Sequence, residues 1–515
     1  MVRPVGLGMQ KQPSLAFSAR AAALLRNAFT AAHRARLAAC CATLAALATA
    51  AVGAQTPAHA QAANTAADST ELALALERPG DGRATCGLGK EFHAGRRAAL
   101  RASLGKGLVL VRGLPATRDY SAFRQDKVFW YLTGIETPGA ALLMDAERGL
   151  EVLFVSEPSA MRESWEGEIW DSADAWVQEL SGFSDVRESG SLADLLREWL
   201  EREPVVHVAR APWVALAGAV DRAQPYERAQ ARDPFDGRPS REQALATALE
   251  RDFGAQVKDL TPALDALRRV KQTEEIAAMR RAARSGALAL AEGIRSTHAG
   301  LGEWELESLM SMVQVREGAA GPAYHAIVGS GRNSCVLHYS ASARRMQAGE
   351  VVLVDYAPEL DHYTADITRT WPVDGRFTPR MAELYDAVLA AQLAGIAVVK
   401  PGARVADVER ACAQVLRERG FASLIRHGAC HSIGMEVHDV PERGALVPGV
   451  AFTIEPGLYD TETGIGIRIE DVVVVTQDGC EVLSSGVPKE RAALEALCAE
   501  TGWLEQRAAR PSKAP

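Results

Sequence analysis

Apolar and polar positions follow two different periods along this chain of 515 residues. Between residues 86 and 262, short continuous apolar runs ("GLVLVRG", "GAALLMD", "LEVLFVS") alternate with stretches of helical spacing. Apolar runs bounded by turn formers predict buried strands, and a period near 3.6 predicts amphipathic helices. "EFHAGRRAALRASLG" has the helical period, and "ARDPFDGRPSREQALATALERDFG" closes the segment as a loop and a helix. The segment therefore predicts a small α/β unit.

From 263 to 503 the pattern changes. "LDALRRVKQTEEIAAMRRAARSGALALAEGI" predicts one long helix, followed by helices over "GEWELESLMSMVQVREGA", "PRMAELYDAVLAAQLAGIAVV" and "VADVERACAQVLRERG". Strand hairpins lie between and after them. Helices mixed with antiparallel hairpins argue an α+β domain rather than a doubly wound sheet. Two domains also agree with length, since one hydrophobic core stops growing well short of this size. Residues 61–85 read as a linker and 504–515 as a disordered tail.

Composition refines this picture. Hydrophobic content of 48% and charged content of 24% describe a soluble globular chain. The net charge is −8, yet the first sixty residues contain six basic residues and no acid. The body is therefore more acidic than the whole, which argues against a nucleic-acid partner. Basic residues up to Arg36 precede the apolar run "LAACCATLAALATAAVGA", and small-residue cleavage sites follow at Ala54 and Ala60. That order predicts residues 1–60 as an export signal, for a periplasmic or secreted protein. A mitochondrial presequence and a cytoplasmic location are the alternatives. Cys86, Cys335, Cys412, Cys430, Cys480 and Cys498 are scattered without metal-ligand spacing and read as isolated thiols.

The candidate chemistry begins in "VVLVDYAPELDHYTADITRTWPV". A hairpin tip at Leu360–Asp361 would place Asp355 directly opposite Asp366. Like charges there are destabilising unless they share a proton or a cation. The plainer alternative is two solvated aspartates at a loose turn. Three further segments weigh against it. "HGACHSIGMEVHD" gathers His427, His431 and His438, three of the eleven histidines in the chain. In "FTIEPGLYD", Glu455 ends an apolar run. In "GIGIRIEDVVVV", Glu470 interrupts an apolar strand, with Arg468 on the same face as a candidate ion-pair partner. Four carboxylates and an imidazole suit Mn²⁺, Zn²⁺ or Co²⁺, and that much negative charge suits two ions rather than one. Two-metal sites activate water and polarise carbonyls.

These residues and their wording resemble the aminopeptidase P branch of the pita-bread dimetal peptidases, family M24. "HYSASARRM" after "GSGRNSCVL", "HGACHSIGMEVHD", "TIEPGLY" and "GIGIRIED" carry the resemblance in the second unit. "EFHAGRRAAL" and "DKVFWYLTGIETPGAALLMD" extend it to the first, as the family's amino-terminal domain. The resemblance implies metal ligands at Asp355, Asp366, His431, Glu455 and Glu470, with Asp366 and Glu470 bridging two ions, Mn²⁺ first among the candidates. It implies a bridging hydroxide that attacks the bond before proline, with Glu455 handling its proton. It places His338 near the scissile nitrogen, His438 at the developing oxyanion, and His427, His438 and Tyr459 around the substrate. Arg468 would orient Glu470 or meet the substrate backbone. The implied substrates are peptides with proline second, and the implied assembly is a homo-oligomer, dimer or tetramer. Prolidase, restricted to X-Pro dipeptides, and an inactive peptide-binding module are the alternative readings.

Overall fold

The computed structural model describes residues 86–504, so the leader, the linker and the tail from 505 lie outside the described residues. A six-stranded mixed sheet organises the first part. Its strands are β1 (Leu108–Arg112), β2 (Ala141–Asp145), β3 (Leu150–Val155), β4 (Val186–Glu188), β5 (Val205–Val208) and β6 (Gln256–Asp259), in the order β4-β3-β2-β1-β5-β6. The two pairings β1–β2 and β2–β3 are antiparallel and the other three are parallel. Helices cover both faces, which explains why "LVLV" is continuously apolar. Val109 and Val111 face a core shared with Leu100 and Phe129; Leu108 and Leu110 face Leu196, Trp199 and Leu249.

The helices of this part are α1 (Lys90–Leu104), α2 (Lys127–Thr133), α3 (Ala160–Glu166), α4 (Ala175–Ser181), α5 (Leu192–Leu200), α6 (Val220–Ala231) and α7 (Arg241–Phe253). Sequence periodicity missed α6. It is mostly polar, has no apolar stripe, contains Pro225 and buries none of its side chains.

The long helix expected over 264–294 is two helices, α8 (Thr261–Arg269) and α9 (Thr273–Ser296). The break has a physical cause. Val270 bridges to Val450, the Lys271 N–H donates to the Gly449 carbonyl, and buried Lys271 pairs with Asp439 at 3.4 Å. The Glu275 carboxylate then caps the new helix by accepting from the Gln272 N–H. Helices α10 (Glu303–Arg316), α11 (Pro379–Val398) and α12 (Val405–Glu418) match the expected patterns, and α13 (Arg491–Cys498) follows them. Helix α9 packs on α10, and α11 on α12.

Between the helices lie short antiparallel sheets. β7 (Gly321–Pro322), β10 (Pro358–Leu360) and β11 (Tyr363–Thr364) form one; β8 (Ile327–Ser330), β9 (Val351–Asp355) and β12 (Thr368–Pro372) form a second. β13 (Ala451–Ile454), β16 (Asp471–Val475) and β17 (Cys480–Val482) form a third, and β14 (Gly457–Asp460) pairs with β15 (Ile465–Arg468).

The aspartate hairpin differs from the expected register. Leu360 pairs with Tyr363, so the tip is Asp361–His362, with φ of 50° and 62°. Positive φ at both central residues is the type I′ geometry that matches strand twist. Asp355 consequently faces Thr368, and Asp366 lies between β11 and β12. The register moves by two residues, so both aspartates keep a common face although they are not direct partners. The hairpin tip reaches the first part of the chain: the His362 ring stacks on Trp130 at 4.1 Å, and its Nε2 pairs with Glu136.

Glu470 likewise differs from its expected position inside a strand. It occupies the junction between β15 and β16, where the chain passes from one sheet to another.

Candidate metal centre

Four strand ends and one loop converge on one buried anionic site. β9 delivers Asp355 at its last residue, and the segment after β11 delivers Asp366. Glu455 follows β13, Glu470 follows β15, and His431 comes from the irregular loop before β13. Strand ends suit this task because their backbone hydrogen bonds hold one end of the residue while the side chain leaves the ladder.

Ligand atoms of Asp366, His431 and Glu470 all lie within 4.8 Å of one another. The His431 Nε2 is 3.4 Å from Asp366 Oδ2, 3.6 Å from Glu455 Oε1 and 3.7 Å from Glu470 Oε1. Its Nδ1–H donates to the Ser432 carbonyl at 3.1 Å, which leaves the Nε2 pole for the carboxylates. Asp355 joins through two donors: Tyr324 O–H to Oδ1 at 2.6 Å and Arg468 Nη2 to Oδ2 at 2.7 Å. Tyr324 Oη also lies 2.7 Å from Asp366 Oδ1. One phenol proton serves one acceptor, so this pair of carboxylates needs a further proton or a cation.

The electrostatics make the same demand. Burial, then Glu470 and Asp355, push the Asp366 carboxyl well above its ordinary range. Burial and Glu470 push Glu455 up to about 8. Burial alone would lower the His431 basicity, but Asp366, Glu470 and Glu455 outweigh it and raise it well above the usual histidine value. Glu470 Oε1 is buried without a hydrogen-bond partner, while its Oε2 accepts from Thr368 Oγ1 at 2.8 Å. An orphaned, buried carboxylate oxygen facing an imidazole and other carboxylates is a donor set that divalent cations fit.

Arg468 does not pair directly with Glu470, contrary to the simplest reading of "RIE". Its Nε donates to Thr368 Oγ1 at 3.0 Å, and Thr368 donates onward to Glu470. Its Nη1 donates to the Tyr459 hydroxyl at 3.0 Å. Tyr459 O–H in turn donates to His427 Nε2 at 2.7 Å, while His427 Nδ1 reaches the Gly428 carbonyl at 2.6 Å. Burial and the Arg468 charge hold His427 near 4, hence neutral. His438 stacks on His431 at 4.1 Å, and burial with the His431 charge holds it near 4 as well. His338 lies at the exposed rim, its basicity lowered by burial and by Arg222.

All the residues singled out in the sequence thus gather around one cleft. Tyr324, Asp221 and Arg222 were missed. Tyr324 sits in "GPAYHAI" without any pattern that marks a tyrosine as polar-site rather than core. Asp221 and Arg222 lie on the helix whose existence the pattern concealed.

Fold and site together define a pita-bread metallopeptidase. Comparison with known proteins narrows this. Residues 277–477 match the model of metallopeptidase family M24, and residues 93–208 match the aminopeptidase P amino-terminal domain. The chain is 30% identical over 451 residues to Xaa-Pro aminopeptidase of Escherichia coli K12, covering 79% of this chain and 97% of that one. The solved aminopeptidase PepP of Pseudomonas aeruginosa superposes with a TM-score of 0.67 at 32% identity, covering 80% and 98% of the two chains. Aminopeptidase P from E. coli, solved with the inhibitor Pro-Leu, gives 0.67 at 29% identity, covering 79% and 98%. The chain belongs to the aminopeptidase P branch of metallopeptidase family M24.

Proposed function

We infer that this chain is an Xaa-Pro aminopeptidase, a metallo-exopeptidase that hydrolyses the bond between an N-terminal residue and a following proline. One observation carries the assignment of the centre: Asp366, His431 and Glu470 converge within 4.8 Å, with an orphaned buried oxygen on Glu470. In our reading Asp355, Asp366 and Glu470 would hold one divalent ion, and Asp366, Glu470, His431 and Glu455 would hold the other. Mn²⁺ is the first candidate because the set is oxygen-rich with one imidazole. Bound there, such ions supply Lewis acidity at the scissile carbonyl and a water of lowered pKa.

The protein's own groups do the rest. Glu455 holds and returns the proton removed from the attacking water. His438, stacked on His431 with its Nδ1 3.2 Å from Asp221 Oδ2, lines the substrate side of the centre beside the oxygen on which charge develops. His427 and Tyr459, locked to each other and to Arg468, wall the proline side of the cleft. His338 presents an N–H at the rim toward the backbone beyond the scissile bond. Arg468 sets Asp355 directly and Glu470 through Thr368, a supporting role typical of the groups around a metal. The basic and apolar character of residues 1–60 supports export, and family kinship supports a homo-oligomer; N-terminal sequencing of the mature protein and sedimentation measure these two points.

The deciding experiment is product analysis on the Mn²⁺-loaded protein with an X-Pro dipeptide and a longer X-Pro peptide side by side. Release of the first residue from the longer peptide is the expected result. Cleavage of the dipeptide alone would make the enzyme a prolidase. Metal binding without cleavage of either would make it a peptide-binding module.

A further inference from the structure

Helix α6 has no apolar side to hold it, yet its first turn is fixed with care. Ala217 takes a positive φ of 58° just before it. The Val220 N–H donates to Glu436 Oε2 at 2.7 Å, and Glu436 is itself buried and bound by Arg268 at 2.8 Å. Lys127, fully buried, donates to the Met435 carbonyl at 2.5 Å and reaches the Gly218 carbonyl at 3.4 Å. These contacts tie the start of α6 to the loop that carries His431 and His438. They place two opposite charges at the mouth of the cleft.

Asp221 Oδ2 lies 3.2 Å from His438 Nδ1, and Arg222 Nη2 lies 3.0 Å from His338 Nδ1. A guanidinium has donors only, so His338 Nδ1 is the acceptor and the neutral ring carries its proton on Nε2. Among the described residues no carboxylate stands within ion-pair distance of Arg222, so its remaining N–H groups face solvent at the rim without an anionic partner. The order across the cleft is then the metal centre, His431 stacked under His438 beside anionic Asp221, and cationic Arg222 next to His338. That polarity complements a short zwitterionic peptide, ammonium first and carboxylate last.

We propose that Arg222 is a specificity-determining residue that takes the C-terminal carboxylate of X-Pro-X tripeptides, making short free-acid peptides the favoured substrate class. The proposal rests on the aminopeptidase reading above. Guanidinium and carboxylate form paired, charge-assisted hydrogen bonds, and exposure at the rim reduces their gain to about tenfold in affinity.

The test compares one X-Pro-X tripeptide as the free acid and as its C-terminal carboxamide, in the Mn²⁺-loaded full chain. The expected KM is about tenfold lower for the acid, with similar kcat for the two, and added salt narrows the gap. Arg222→Gln keeps a donor for His338 Nδ1 but loses the charge, so the acid-to-amide ratio of KM should approach one. Arg228→Gln, on the same exposed helix, should retain the preference. Equal KM values for acid and amide in the native enzyme, or a ratio that survives Arg222→Gln, would overturn the proposal. So would an equal loss of kcat on both substrates in Arg222→Gln, which would make Arg222 a positioning residue for His338 alone. Absence of cleavage of either form by the native enzyme would remove the aminopeptidase reading and this proposal with it, before any variant is made.

Discussion

Glu470 and Asp471 are consecutive acids, both buried, and their surroundings are opposite. Asp471 accepts from Arg369 at 2.8 Å, Ser484 at 2.7 Å, Gln392 at 2.6 Å and Lys489 at 2.7 Å. Burial alone would raise its pKa, but Arg369 and Lys489 hold the carboxyl well below the usual range. Glu470 accepts one hydrogen bond, from Thr368, and its other oxygen has none. Adjacent residues on an extended segment point to opposite sides, so one acid enters the structural network under α11 and the other enters the cleft. A buried acid that serves the fold is surrounded by its donors; a buried acid kept for a ligand is left open on one side.

Substitution can break the contrast from either side. The largest effect is expected on activity: Glu470→Ala should lower turnover of an X-Pro peptide at least a thousandfold, about 4 kcal/mol of transition-state stabilisation. Its unfolding midpoint in urea should stay close to that of the parent, because only the one hydrogen bond from Thr368 is lost while an unpaired buried oxygen is removed with it. Turnover within tenfold of the parent would refute the assignment of Glu470 to the centre. Asp471→Ala should do the reverse. It strands Arg369 in the core, which costs about 3–5 kcal/mol of stability. A denaturation curve unchanged from the parent would show that Asp471 is not the structural acid described here.

His93 sharpens the comparison with a smaller effect. It is fully buried, its Nδ1–H donates to the Tyr131 carbonyl at 3.0 Å, and its Nε2 accepts from the Leu88 N–H at 3.1 Å. Both ring nitrogens are thus satisfied in the neutral form, and burial lowers the pKa from 6.5 to about 4. Between those values the unfolded chain binds the proton and the folded chain does not. Stability from this group is therefore constant above pH 6.5 and falls as the pH drops toward 4, by about 3 kcal/mol in total. His93→Gln should flatten that part of the stability profile, measured by urea unfolding between pH 7 and 4. An equally steep profile in the variant would assign the acid sensitivity to other groups.

Much of the centre was readable because its residues break local patterns. A glutamate amid "IRI" and "VVVV", or an aspartate ending "VVLV", contradicts burial unless chemistry compensates. Strands β1, β2 and β3 and helices α1, α7, α10, α11 and α12 were readable from period alone. What escaped depends on distant contacts. The hairpin tip fell at Asp361–His362 because nothing marks histidine as a turn residue, and its partners Trp130 and Glu136 lie more than two hundred positions away. The break at Val270–Gln272 depends on Gly449, Val450 and Asp439. Helix α6 has no apolar stripe to betray it, and its anchor, Glu436, belongs to the histidine loop.

The stacking of His362 on Trp130 has a consequence for how such chains can be recombined. The loop that closes the aspartate hairpin is completed by a ring and a carboxylate from the other half of the sequence. A chimera joined near residue 262 therefore inherits a matched hairpin only if Trp130 and Glu136 travel with His362. The two halves are co-inherited parts of one lock, and a library built by shuffling them should be filtered on that triplet before any screen for turnover.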